Sequence, residues 1–333
     1  MPVPTMRRPR LGLGRRALLG AGLALPPLAV PRLGRAQPRF PERPVTLICP
    51  FPPGGTTDVT MRVLAEQAAR RLGQNVLVDN RPGAANTLGA ATVARARPDG
   101  YLLTQLPSSA IRVQLLQGLP YDTLRDFTPV LGVTGYSYVC IAKKGRFPGG
   151  WRQVVEEARR NPGRLSCGNT GANGTPHVTI AELCGKEGIQ IEPVAFRGDG
   201  DSSQALLGGH IDLTAGGSGL GALVDGGQAE FLHVWTAERL TRWPQAPTLR
   251  ELGYDMVVTT PYGLVAPAGL DPAVLRTLHD AFAEAVRDPA HLAVLEKYDM
   301  PVEYRDSAAY AAFLRETVAR ETALIQRLGL KAG

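Results

Sequence analysis

The chain has 333 residues, 44% of them hydrophobic and 20% charged. At roughly 100 to 200 residues per domain this predicts two domains with cores of their own, and it excludes a disordered polyelectrolyte. The formal charge of +7 overstates the basicity, because residues 1–36 hold seven arginines and no acid, leaving 30 Lys and Arg against 30 Asp and Glu; a basic face for nucleic acid is not expected.

In chain order, residues 1–36 have the form of an export signal: Arg15-Arg16, the apolar run from Ala17 to Val30, then Gly34-Arg35-Ala36 with cleavage before Gln37. Gly14-Arg15-Arg16-Ala17-Leu18-Leu19 fits a twin-arginine pattern loosely, so both Tat and Sec export stand. The run has 14 residues and contains Pro26 and Pro27, short of the roughly 20 apolar residues that span a bilayer. No cysteine precedes Cys49 to take a lipid. A periplasmic protein is expected.

Residues 45–51 read as a buried strand and 57–72 as a helix with Met61, Leu64, Ala68 and Leu72 on one face. Strand 75–79, helix 87–96 and strand 101–106 follow. The pattern resumes with strand 138–142, helix 151–160, strand 165–168, helix 176–185 and strands near 191–196, 211–215 and 232–236. Two long helices close the chain, one carrying Leu275, Leu278, Phe282 and Val286, the other Tyr310, Leu314, Val318, Ile325 and Leu328. Short apolar strands with helical crossovers make this an α/β chain with mainly parallel sheets flanked by helices. Residues 138–145 and 262–269 are alike, each a short apolar strand ending in a glycine turn. They are read as the two passages between domains, giving domain 1 as residues 38–136 with 263–333 and domain 2 as 137–262.

In open parallel sheets, ligands bind where loops leave the carboxyl ends of strands for helix N-termini. The first such loop supplies Phe51, Pro53, Gly54, Gly55, Thr56 and Asp58 as candidate ligand residues: prolines stiffen it, glycines bare the backbone, and unpaired N–H groups at the helix start form an anion site. Thr57 or Asp58 acting only as a helix cap is the alternative. The second loop repeats the arrangement with Asn169, Thr170, Gly171, Asn173, Thr175 and His177, where Thr175 suits N-cap and Pro176 the first helical position. His177 is read as a structural hydrogen-bonding partner or a ligand contact. In a third loop Arg81 either pairs with a ligand carboxylate or fixes its own turn. In the fourth, Asp201 is placed to cap a helix and Asp199 to face the ligand.

Ser108 is counted among the ligand residues, and with Ser218 it is the nucleophile of the competing reading, an exported α/β hydrolase. Gly217-Ser218-Gly219 lacks the final glycine of a GxSxG elbow, and the five histidines show no HExxH spacing. No catalytic residue, metal ligand or cofactor is therefore assigned, and the chain is not read as an enzyme. The four cysteines lack CxxC spacing; Cys49 and Cys140 read as free core thiols, although an oxidising compartment permits a disulfide.

Taken in order, Pro44 to Asp58, Val78 to Gly89, Asp99-Gly100-Tyr101, Leu119-Pro120-Tyr121-Asp122 with Asp126-Phe127, Gly168 to His177, Leu206-Leu207-Gly208-Gly209 and Tyr262 to Gly269 resemble the substrate-binding receptors of tripartite tricarboxylate transporters, the Bug family of periplasmic solute-binding proteins. The resemblance implies a two-domain clamp of the type II-like periplasmic binding-protein kind. Its cleft would hold a small organic acid through a carboxylate met by backbone groups and waters from the first two loops. It also implies delivery to inner-membrane permease subunits by a monomeric receptor; a receptor serving a sensor protein is the variant reading. The chain departs from the family at Cys49, at Asn173-Gly174, where the hydroxyl contact would pass to Thr175, at Asp199 and Asp201, and at Gly216 to Gly221. An acid at Asp199 would repel a second ligand carboxylate and accept a hydrogen bond from a donor; the alternative is that it points to solvent or pairs with Arg197.

Overall fold

The computed structural model describes residues 1–4 and 40–331; the paired arginines, apolar run and cleavage site of the export signal lie outside the described residues. The elements in order are β1 (Val45–Cys49), α1 (Thr56–Leu72), β2 (Val76–Asn80), α2 (Leu88–Val93), β3 (Leu102–Leu106), α3 (Ser108–Gln117) and β4 (Phe127–Lys143). Next come α4 (Gly150–Arg160), β5 (Ser166–Asn169), α5 (Thr175–Glu187), β6 (Glu192–Ala195), α6 (Asp199–Leu207), β7 (Leu213–Gly217), α7 (Gly221–Asp225) and β8 (Ala229–Val234). The chain ends with β9 (Thr259–Pro267), α8 (Pro272–Val286), α9 (Pro289–Lys297), β10 (Val302–Arg305) and α10 (Ser307–Leu328).

The strands follow the order β2-β1-β3-β9-β4-β7-β5-β6, with β8 and β10 also on β4. Among the named strands, parallel pairing joins β2-β1-β3 at one end and β6-β5-β7 at the other. The strands joining them are antiparallel, so the sheet is mixed. β4 is the reason: its 17 residues pair with β9 up to Ser137↔Thr259 and then with β7 from Tyr138↔Gly217. Only its second part was expected as a strand. The first part contains Pro129, Gly132 and Gly135, which disfavour regular strand pairing; the pairing register shifts at Pro129/Leu131 and Gly132/Thr134 and the strand continues through both irregularities.

The helical faces follow the 3.6-residue period. α1 buries Met61, Leu64, Ala68 and Leu72, and α8 buries Leu278, Phe282 and Val286; each of these side chains larger than alanine contributes about 1.5 to 3 kcal/mol. In α10, Tyr310 and Leu314 are buried while Val318 is partly exposed. α3, α9 and β10 were not anticipated. All four cysteines are buried and free. No helix among the described residues is long and apolar enough to cross a membrane.

Candidate ligand-binding site

Four helices, α1, α3, α5 and α6, begin at the wall of one cavity of about 550 Å³. Each follows a strand of its own half, β1, β3, β5 and β6, so the strand order brings the four turns to one place. Of the residues expected at the site, Phe51, Pro53, Gly54, Gly55, Thr56, Ser108, Thr170, Thr175 and Asp199 line this cavity.

Asp58, Asn169, Gly171, Asn173 and His177 are not part of its lining, and their bonding explains why. Asp58 turns back under its own loop and accepts hydrogen bonds from the Gly54 N–H at 2.8 Å, Asn80 Nδ2 at 2.7 Å and Arg62 Nε at 3.0 Å. Burial pushes its carboxyl up, but the hydrogen bonds from Arg62, Gly54 and Asn80 outweigh this and hold it below its ordinary value. Asn169 Oδ1 accepts the Gly171 N–H at 3.1 Å, closing the turn in which Gly171 takes φ +112°. Asn173 sits at φ +58°, gives its N–H to His177 Nδ1 at 2.9 Å, and receives Arg112 Nη1 on its carbonyl at 2.8 Å. Arg112 in turn pairs with Glu321 at 2.6 Å, both almost wholly buried. His177 is lowered in pKa by burial and by Arg112, so it stays neutral and accepts, and with Asn169 it lines a separate cavity of about 480 Å³. These five residues shape the loops instead of facing the space between them. Arg81 does not line the cavity, and the partners of its guanidinium among the described residues are the side chains of Asp79 at 2.8 Å and Thr92 at 3.4 Å, not the backbone carbonyls of its turn.

The expected caps are also absent. α1, α3, α5 and α6 are preceded by Gly55, Pro107, Gly174 and Gly198, and none has a side-chain cap. Thr175 is the first helical residue instead of the cap, and Asp201 is an exposed partner of Arg197 at 3.7 Å. The N–H groups of these first turns, with the positive ends of four helix dipoles, face one volume. Asp199 neither points to solvent nor pairs with Arg197. Its Oδ2 accepts the Gly217 N–H at 3.1 Å and its Oδ1 is buried without a partner, which pushes the carboxyl up to about 6 through burial, offset only by that one N–H.

Tyr136 and Tyr138, unassigned from sequence, also line the cavity. Tyr136 shares a hydrogen bond of 2.9 Å with Thr57 and takes one from Gln105 Nε2 at 3.1 Å; Tyr138 shares one of 2.7 Å with Thr260. Burial pushes both phenols up, Tyr138 to about 12, so both remain neutral donors. Their two-residue spacing, which puts both on one face of a strand, was the available signal.

None of the five histidines lines the cavity. Ser218 Oγ donates to the Tyr298 carbonyl, whereas a serine nucleophile needs an adjacent base. Among the described residues no group of three His, Cys, Asp or Glu is placed to hold a metal ion.

The family model for the tripartite tricarboxylate transporter family receptor matches residues 60–330. The "UPF0065 protein in gbd 5'region" of Cupriavidus necator is 37% identical over 318 residues, 96% of this chain and 97% of that protein. The periplasmic binding protein BugD superposes with a TM-score of 0.83 at 26% identity, covering 88% of this chain and 99% of that one. MatC from Rhodopseudomonas palustris with bound malate gives 0.80 at 27% identity over 86% and 100%. The chain belongs to the tripartite tricarboxylate transporter receptor family, with Bug proteins among its relatives.

Proposed function

We propose that this protein is a periplasmic receptor whose two lobes, residues 38–136 with 263–333 and residues 137–262, close over one small organic acid and deliver it to inner-membrane permease subunits. The observation that carries this reading is the convergence of four helix N-termini without side-chain caps on one cavity. Such donors hold a carboxylate without a charged side chain, and release it without breaking an ion pair. Thr56, Ser108, Thr170 and Thr175 add hydroxyls, and Phe51 with Pro53 gives the wall its shape. MatC carries malate, a carboxylate, and BugD is a periplasmic binding protein; both support the reading. Contacts between the two stretches of chain suit a closed clamp: Arg112 on the Asn173 carbonyl, Arg327 on Glu182 at 2.6 Å, and Ser218 on the Tyr298 carbonyl.

The test is calorimetry with a panel of small hydroxy, amino and dicarboxylic acids, malate among them, followed by small-angle scattering of the protein saturated with whichever binds. One acid bound per chain, unchanged on release, with a smaller radius of gyration than the free protein is the expected result. Chemical conversion of the acid, or binding without compaction, overturns the receptor clamp.

A further inference from the structure

We propose that Asp199 sets the specificity of this cavity: it makes the corner shared by α6 and α1 anionic, so the solute turns an ammonium or hydroxyl group to that corner and its carboxylate to the α3 and α5 N-termini, and dicarboxylates are rejected. This rests on the receptor reading and names its solute class.

Asp199 is the first residue of α6 and lines the cavity, yet its side chain does not cap the helix. The carboxylate lies across the end of β7 in space left by two glycines. A side chain on Gly216 would collide with Oδ1, and one on Gly217 would begin 3.2 Å from Oδ2. The Gly217 N–H is the only partner it has among the described residues, and Oδ1 has none. Its neighbouring cation does not neutralise it: Arg197 pairs with the exposed Asp201. Lys297 lines the cavity too, but it is solvent-exposed and lies over the Tyr298 ring at 5.4 Å, where water and salt screen it.

The same point where a Gly217 side chain would begin is 4.0 Å from Thr56 Oγ1. Thr56 opens α1, so an anion seated at that N-terminus stands beside an unneutralised buried carboxylate, whereas a donor there meets a strong acceptor. The α3 side has the opposite character. Ser109 Oγ accepts Asn86 Nδ2 at 3.1 Å, which leaves its hydroxyl hydrogen to donate. Ser108 and Thr175, the hydroxyl residues that open α3 and α5, line the cavity as well. The cavity thus has a carboxylate end and a donor end.

The experiment is a titration of wild type and Asp199→Asn with straight-chain acids of graded length, each as ω-amino acid, ω-hydroxy acid and diacid, near pH 8, above the value of about 6 at which Asp199 titrates. Wild type is expected to bind the best amino or hydroxy acid at least about ten-fold more tightly than the matched diacid, as for a hydrogen bond to a charged group. The variant is expected to lose that preference. Asp199→Ser, which removes the charge with a smaller side chain, repeats the comparison should the amide variant not fold. A diacid bound best by wild type, or a ranking unchanged in both variants, overturns the specificity role while leaving the receptor intact. Acids that fail to bind any of the three proteins overturn the receptor reading itself.

Discussion

Helices α8, α9 and α10 begin after Asp271, Asp288 and Asp306, whose carboxylates accept N–H groups of their own first turns. Helices α1, α3, α5 and α6 begin after Gly55, Pro107, Gly174 and Gly198 and have no such acceptor. Both groups have N–H donors left over by helix geometry. They differ in what the donors face: solvent at the aspartate-capped helices, the cavity at the others. α4 shows that a glycine start alone is not the mark, since Gly149 precedes it away from the cavity and Gln153 Oε1 takes the Gly149 N–H at 2.9 Å. A cap worth about 1 kcal/mol is missing at all four places, where a polar group of a bound solute could supply the acceptor.

Asp199 is the sharpest test of that contrast, because it is an acid in a first turn that satisfies β7 instead of its own helix. Its carboxyl is raised from 3.8 to about 6, so the folded protein holds a proton that the unfolded chain releases between those values. The group therefore costs nothing below that window and destabilises increasingly as pH rises through it. With about two pKa units at 1.36 kcal/mol each, less the pull of the α6 dipole, Asp199→Asn is expected to gain about 2 kcal/mol near pH 8. The gain should fade toward pH 4. Denaturant unfolding of both proteins across that range measures it; a gain independent of pH would mean the carboxylate is not the cause.

A smaller effect is expected from giving α1 the cap it lacks. Gly55 has φ −74° and ψ 166°, open to any residue, and a side chain there would meet only the Pro52 carbonyl at 3.6 Å. Gly55→Asp places a carboxylate over the N–H groups proposed for the solute. With the solute's carboxylate at α3 and α5 and its hydroxyl turned to this corner, the new carboxylate takes the α1 N–H groups from the hydroxyl oxygen, so it should weaken hydroxy-acid binding by about 0.5 to 1.5 kcal/mol while leaving the melting temperature equal or slightly higher. Undiminished affinity would show that the α1 N-terminus is not part of the site.

How far this was legible in the sequence depends on the range of the signal. The α1 face and the glycine-rich openings of α1 and α5 are local patterns, and the helices form there. The direction of a side chain within those loops is not local: Asp58 turns away because Asn80 and Arg62 meet it from β2 and from the next helical turn. Asn173 takes a positive φ while Arg112 grips its carbonyl from α3. The burial of Asp199 needs Gly216 and Gly217, which reach it only through sheet pairing. Tyr136 lies in the part of β4 that was not expected as a strand, interrupted as it is by Pro129, Gly132 and Gly135, whereas Tyr138 falls in the expected strand and only the pairing of β4 with β9 and β7 brings it to the cavity. Long-range packing thus decided which residues of these loops face the cavity.

A comparable effect is expected from the capped side. Asp306 Oδ1 accepts the Ala309 N–H at 2.8 Å at the start of α10, whose Tyr310 and Leu314 fill the core beside β9. Asp306→Ala leaves that N–H to water at an exposed helix end, so it should cost about 1 kcal/mol of stability. Affinity should not change, because this N-terminus does not line the cavity. The pair of variants therefore moves two observables in opposite ways: Asp306→Ala lowers the melting temperature and spares binding, whereas Gly55→Asp spares the melting temperature and lowers binding. A loss of affinity in Asp306→Ala larger than its loss of stability explains would break the contrast, since it would mean that the α10 start also takes part in holding the solute.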